Sequence, residues 1–435
     1  GFSQSRPRLL PMQSQSRPPA EATWSDLPRE NAQVQDIALY KREHAVHQGS
    51  LIAVNASWTC YAIRGGMVRV IHRETEEKAL LRGHALEVVD LQFLPGQDVI
   101  ATVANDGNVY VWRLSCVGSE IKSEPVLQAT WGERPPPGGV DRVVFKPSAE
   151  PELLASIMGG HSLLLWSLQG VQEEPEPFAL VPAHAPLLTC CDFDAAGTRL
   201  LCGDAAGAVL LFTVPPGAPS SGSSSLLHRF AAHTGPLSLL TFTGADHVLL
   251  TGADGNLELS LWGTSSGYNS NEYTPTALHT LRLRCPSPAD ADGGRHLSAT
   301  YEPSHGVLLL SCANPGDDAS ELLAVSLARR GADSAFGSLT AFSASTPLLS
   351  LAADPRPGDA LQVFCVTPTA VQCHAIDAHA QLSGGTQLLS SGGSDPTGSA
   401  AAAVAPPPPA AETSATAASA TAASATAASA TAASA

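Results

Sequence analysis

The 435-residue chain has no run of five or six Lys or Arg, and its formal net charge is −16. A general grip on nucleic acid needs clustered cations that displace counterions from phosphates, so the charge argues against that class of function. The nearest basic group, Arg64, Arg69, His72 and Arg73, reads as the solvated rim of a sheet. The nine cysteines are odd in number, irregular in spacing and contain no C-x-x-C pair. This excludes a disulfide framework and a zinc site of ordinary spacing, and it fits a reducing compartment. No stretch of about 18 apolar residues is present to span a bilayer as a helix, and no apolar segment of a secretory signal opens the chain. Aromatics (5%) and charged residues (15%) are scarce, whereas hydrophobic residues reach 44%, with 37 Gly and 34 Pro. Such a balance suits a large core assembled from many short strands and turns.

What is present is a repeat. Residues 83–114 read GHALEVVDLQFLPGQDVIATVANDGNVYVWRL. A Gly-His pair leads into an alternating strand, a turn, a second strand, an Asp-Gly turn and a third strand ending in Trp. That order is one blade of a WD40-type β-propeller. Six weaker blocks share its rhythm, at 51–72, 140–168, 184–213, 233–263, 296–327 and 347–377. Together they give about 47 residues per block, near the roughly 40–45 of a WD40 repeat plus loops. The fold predicted is therefore all-β, a WD40-like propeller of seven blades, with six or eight left open by the weakness of the first, sixth and seventh blocks.

The predicted propeller covers 32–378. An isolated alternating strand at 32–40 (AQVQDIALY) precedes the first block, and it is assigned to close the last blade from the other end of the chain. Residues 1–31, rich in Pro, Ser, Gln and Arg, are expected to be a disordered leader. Residues 379–435 collapse to Ala, Ser, Thr, Gly and Pro, with four TAASA copies over 416–435, and are expected to be a disordered linker. Opening on Gly and stopping inside a repeat, the chain is expected to be a piece of a longer product.

The residues that stand out chemically read as structure. In the second block His84, Thr102, Asp106 and Trp112 take the positions of a buried network. In it Asp accepts from His, His orients the hydroxyl, and the hydroxyl meets the indole N–H. The fourth block keeps His184 but has Ala206 at the turn Asp position and Phe212 for Trp, with Asp204 two positions early. The fifth keeps His233, Asp254 and Trp262 around a longer turn; the third has Trp166 and no Asp. No Trp is followed by Asp, so packing must hold most blades. No catalytic, metal or cofactor site is assigned. Gly263-Thr264-Ser265-Ser266-Gly267 fits the G-x-S-x-G elbow, but YNSNEYTP follows where that elbow needs a helix. Glu173-Glu174 and Asp317-Asp318 sit in solvated turn-rich stretches, and the sequon Asn55-Ala56-Ser57 falls in a candidate buried strand.

Several strings are narrower than the general blade pattern. They are IAVN at 52–55 with GGMVRVI at 65–71, LLRGHALEVVDLQF at 80–93, DGNVYVWRL at 106–114, LLTGADGNLELSLW at 249–262 and LQVFCVTPTAVQ at 361–372. In these the chain resembles the enhancer of mRNA decapping 4 family, called Varicose in plants, over roughly 32–377. The resemblance implies a cytoplasmic, non-enzymatic scaffold of processing bodies. Its partners would be the decapping enzyme and its activator subunit, with other mRNA-decay factors. It would promote removal of the 5′ cap, with no sequence-specific nucleic-acid binding and no membrane attachment of its own. The family's C-terminal helical region is absent here.

Two further readings stay open on the residues. One is a WD40 adaptor of another cytoplasmic assembly, such as a vesicle coat or ubiquitin ligase; the other is a hydrolase framed by a propeller. A buried network has a direct consequence for stability. Trp112→Ala should cost about 2–4 kcal/mol, the scale of large-to-small core changes, and Asp106→Ala should destabilise by leaving His84 unpaired. Thermal melts that are unchanged by both substitutions would reject the assignment.

Overall fold

The computed structural model describes residues 19–388, apart from 42–48, 131–139, 170–176, 182–183, 185, 215–224, 244–248, 254–256, 265–274, 285–295, 314–319, 331–332, 357, 359 and 384. Seven antiparallel sheets follow one another along it. The first is Ile52–Val54, Trp58–Ile63, Met67–His72 and Lys78–Leu81; the second is Val88–Phe93, Val99–Ala104, Val109–Val117 and Glu120–Ala129. The third is Val140–Phe145, Leu153–Met158, Ser162–Ser167 and Phe178–Val181; the fourth is Leu188–Phe193, Arg199–Asp204, Ala208–Thr213 and Ser225–Ala231. The fifth is Leu237–Phe242, Leu249–Ala253, Glu258–Thr264 and Pro275–Arg284; the sixth is His296–Glu302, Val307–Ala313, Ser320–Arg330 and Asp333–Ala344. The seventh is Ser350–Ala353, Ala360–Val366 and Ala370–Asp377. The chain is a seven-bladed propeller.

Each blade packs on two neighbours, so both faces of its middle strands are covered and those strands become continuous apolar runs. Val99–Ala104 is buried at every position. The core is accordingly a circle of slabs between adjacent blades. One slab joins Val103, Val111 and Leu127 of the second blade to Phe145, Leu154 and Trp166 of the third. The next joins Ile157 and Leu165 of the third to Phe193, Leu200 and Leu210 of the fourth.

Blades two to five carry a register shift at the same place in the inner strand, between Val88/Asp90, Val140/Arg142, Leu188/Cys190 and Leu237/Leu239. A second recurs in the third strand at Val111/Trp112, Leu163/Leu164, Leu211/Phe212 and Leu261/Trp262. Bulges place one extra residue and increase local twist, so their recurrence marks a repeat of geometry tighter than the repeat of sequence.

Gln33–Leu39, within the expected closing segment, is the outer strand of the seventh blade, from Gln33 opposite Ala375 to Leu39 opposite Ala370. The segments on either side of the propeller are more ordered than their composition suggests. Residues 20–30, assigned by sequence to the leader, run along two outer edges. Ala20–Thr23 pairs in parallel with Leu281–Arg284 of the fifth blade, and Arg29–Glu30 in parallel with Ala341–Phe342 of the sixth. The cause is two apolar anchors, Trp24 and Leu27, each 5% exposed. Beyond 378, assigned to the tail, Asp377 caps one helical turn at Ala380–Ser383 by accepting the N–H groups of His379 and Ala380. Thr386–Gln387 then pairs with Ser338 and Leu339 of the sixth blade, with Leu382 buried beneath. Residues 389–435, with the TAASA array, lie outside the described residues. Among the described residues no helix is long and apolar enough to cross a membrane.

The inner strands surround a central channel of about 490 Å³, lined from all seven blades. An inner strand is a sheet edge, and its outward N–H groups have no strand to pair with. Side chains of the adjacent blade accept several of these N–H groups, and others donate to carbonyls at the same junctions. Asp90 accepts the N–H of Ser50 at 2.7 Å and of Val143 at 2.8 Å, tying the second blade to both neighbours. Arg142 Nε donates to Thr189 O (3.4 Å), and Asp192 accepts from the Thr241 hydroxyl (2.7 Å) and Phe242 N–H (3.2 Å). Tyr301 OH donates to Thr243 O (3.0 Å), Ser298 accepts Leu351 N–H (3.1 Å), and Ser350 accepts Leu51 N–H (2.9 Å). Every junction of the ring is thus bridged.

Burial pushes the Asp192 carboxyl up to about 6, against the pull of its bonds from Thr241 and Phe242. The folded protein therefore holds a proton there that the unfolded chain has released. The contribution of this group to stability therefore falls as pH rises from about 4 to 6, then levels. Asp192→Asn keeps an oxygen acceptor and removes the charge. Melts across pH 4–7.5 should show that fall flattened, with the variant more stable than the parent at pH 7.5 by up to about 2 kcal/mol.

Candidate interaction site

The site candidates on a propeller are its two faces, its edges and its channel, and the blade networks decide what remains available at the surface. In the second blade His84 Nδ1 lies 3.4 Å from Asp106 Oδ1, and Nε2 lies 3.0 Å from the Thr102 hydroxyl. Asp106 also accepts the N–H of Ala85 (2.7 Å) and Asn108 (2.9 Å). Burial alone would raise this carboxyl; the bonds from His84, Asn108 and Ala85 outweigh it and hold Asp106 below the usual range. Among the described residues the Trp112 indole makes no hydrogen bond to Thr102. Thr102 lies opposite Tyr110 across the sheet, and the Tyr110 ring meets the His84 ring edge-on with centroids 4.7 Å apart. The indole-to-hydroxyl bond expected in this blade is found in the third, from Trp166 Nε1 to Ser156 Oγ at 2.8 Å.

The fourth blade solves the same problem with a displaced acid. Asp204, two positions early in the sequence, is fully buried at the end of the second strand. It accepts the N–H groups of Ala206 (3.0 Å) and Ala208 (2.8 Å), and its other oxygen lies 3.2 Å from His184 Nε2. The turn it caps needs Gly207 at φ +82, where an added Cβ would sit 2.1 Å from His233 O. In the fifth blade Asp254 lies outside the described residues. His233 Nδ1 is 3.4 Å from Glu258 Oε1 instead, and Arg282 Nε is 2.8 Å from the other oxygen. His233 first, then Arg282, draws Glu258 down to about 2. Trp262 is buried against the Phe230 ring at 5.3 Å. Sequence reasoning set Asp204 aside as two positions early and missed Glu258, because it expected the acid at a fixed turn position. The signal it could have used is an acid near the turn following a Gly-His or His block.

The His84, His184 and His233 rings are thus each paired with an acid of their own blade. The basic group is divided between surface and interior, with Arg64 exposed. Arg73 is inside, 2.5 Å from Asp354 and 5.0 Å above the Phe364 ring, and His72 packs edge-on against Trp58. Asn55 of the sequon is buried, its amide donating to Gln97 O and Asp98 Oδ1 at 2.9 Å each. Ser265 of the elbow-like string, Glu173-Glu174 and Asp317-Asp318 lie outside the described residues. Among the described residues no group of three His, Cys, Asp or Glu is arranged to hold a metal ion.

Among the exposed apolar side chains, two occupy matching places in different blades. Leu86 and Leu187 are 52% and 47% exposed, on the connections that carry His84 and His184. Both flank hairpin turns of the preceding blade: Gly66 faces the Leu86 carbonyl and Gly160 faces the Leu187 side chain. They therefore share one face of the propeller.

Comparison with known proteins narrows the class. Residues 29–158 match the family model described as the WD40 region of Ge1, enhancer of mRNA-decapping protein. The chain is 27% identical over 314 residues to enhancer of mRNA-decapping protein 4 of Danio rerio, covering 64% of this chain and 22% of that protein. The human protein of that name is 35% identical over 120 residues, 26% of this chain and 9% of its own length. The chain thus matches less than a tenth of the human relative and about a fifth of the zebrafish one. Among solved structures, the WD40 domain of Toxoplasma gondii coronin aligns with TM-score 0.56 and 16% identity, covering 82% of this chain and 90% of that one. The Swd1 β-propeller domain of Myceliophteria thermophila aligns with TM-score 0.52 and 12% identity, over 77% and 98%. These two share the fold. By family model and by named relatives, the propeller of this chain resembles the WD40 region of the Ge1 enhancers of mRNA decapping.

Proposed function

We propose that the chain is the propeller of a non-enzymatic scaffold in the mRNA decapping machinery, acting in the cytoplasm and in processing bodies. It brings the decapping enzyme together with its activator subunit and other decay factors, and so promotes 5′ cap removal and mRNA decay. The observation that carries this reading is the Ge1 match over residues 29–158, which spans the closing strand and the first two blades and reaches into the third. The fold supports it, since its polar groups of chemical interest are spent inside blades and the exposed Leu86 and Leu187 sit on one face. Extended peptides suit such a surface, where backbone edges and alternating pockets read short motifs. Contact with RNA is indirect, in keeping with a net charge of −16.

Affinity purification of the tagged chain from cytoplasm tests this. The decapping enzyme and its activator should co-purify, and Leu86→Asp with Leu187→Asp should reduce their recovery several-fold without changing the melting temperature. Recovery of coat or ubiquitin-ligase subunits with no decapping factor would overturn the assignment in favour of another WD40 adaptor.

A further inference from the structure

Every blade is complete with four strands once Gln33–Leu39 joins the seventh. The strands at Ala20–Thr23 and Arg29–Glu30 are therefore supernumerary additions to the outer edges of blades five and six. The slot they cover is walled by the blades themselves. Leu281 and Leu283 of the fifth blade and Leu323 and Ala341 of the sixth form its apolar lining, in one cluster with Trp24 and Leu27. At its mouth a single carboxylate reads two residues of the segment: Glu321 Oε2 accepts the Trp24 indole N–H, and Oε1 accepts Arg29 Nε at 2.7 Å.

We propose that this slot is a docking site for short linear peptides of other proteins, and that residues 20–30 are its displaceable resting occupant. The peptide recognised is extended, with an aromatic residue, a Leu three positions later and a basic residue two beyond that. That is the chemistry of Trp24, Leu27 and Arg29 as the slot holds them. The segment is fit to leave. Its pairing is parallel and short, four residues on one blade and two on the next, and parallel pairs are the weaker kind. Between them stands Pro28, which has no N–H to give, and one 3-10 turn at Trp24–Asp26. Apart from Trp24 and Leu27, every residue from 20 to 30 keeps exposed surface. Its release leaves ring closure untouched, because a different strand performs it. The occupied slot is strand addition performed in cis, a mode by which exposed sheet edges bind peptides. This inference deepens the platform reading but does not depend on the decapping assignment.

The test uses the full chain, a Trp24→Ala/Leu27→Ala variant of it, and a fluorescent peptide with the sequence of residues 19–31, read by anisotropy. The peptide should bind the variant at least ten-fold more tightly than the parent. A peptide with its Trp replaced by Ala, or the variant carrying Glu321→Ala, should lose most of that binding. No binding to a variant that still melts cooperatively would overturn the proposal, as would equal binding to parent and variant. Should the variant fail to fold, hydrogen exchange on the parent decides. Excess peptide should speed exchange at residues 20–23 and 29–30 and leave Gln33–Leu39 unchanged; no acceleration overturns the proposal. Decapping factors enter neither arm, so failure here is separate from failure of the decapping assignment.

Discussion

The constraint on which this structure depends is that a ring of sheets has an inner edge in every sheet. Seven inner strands present backbone N–H groups toward a channel too wide for strand pairing across it. Each unpaired donor in such a place costs free energy comparable to a lost hydrogen bond. The chain meets the cost locally, with Asp90, Asp192, Ser298 and Ser350 reaching to the backbone of the adjacent blade and Arg142 and Tyr301 answering carbonyls. Two of these are carboxylates, which form stronger bonds than hydroxyls but resist burial. The raised carboxyls of Asp90 and Asp192 record that tension. The contacts that hold neighbours in register are thus the contacts that polarise the channel wall.

How far the fold is legible in the sequence follows from where the apolar pattern is strongest. The second block reads almost completely, because its Gly-His start, Asp-Gly turn and Trp stop coincide with real features of a blade. Blades two to five share bulges at matching positions, and their blocks carry either a block-leading His or a strand-ending Trp, so the repeat is visible there. The first, sixth and seventh blocks lack both the recurrent inner bulge and the polar markers, and only alternation betrays them. The closing strand at 32–40 is legible because it alternates in isolation. The segment before it is not, because its order rests on two residues, Trp24 and Leu27, whose partners lie more than 200 positions away. Composition averages such anchors into a leader rich in Pro and Ser.

The candidate site divides along the same line. Groups that look chemical from sequence, His84, His184, His233 and their acids, are interior, and their geometry varies from blade to blade while their task does not. Asp106, Asp204 and Glu258 occupy three different sequence offsets, yet each carboxylate meets a His that precedes an inner strand. Side-chain length and the reach of the turn compensate for the offset, which a linear motif cannot register. The surface features, by contrast, are exposed leucines and a filled edge slot, and neither has a pattern that one chain alone makes visible.

The strand that completes the seventh blade has a consequence for the order of assembly. Gln33 is made about 340 residues before its partner Ala375. At roughly 5–20 residues per second on the ribosome, that strand waits on the order of 20–70 s for the hairpin it must join. Through that interval an alternating segment with bare backbone is held beside a growing arc of blades. The ring can close only once the hairpin ending at Asp377 has been made, so the outer position of the last blade is the last to fill.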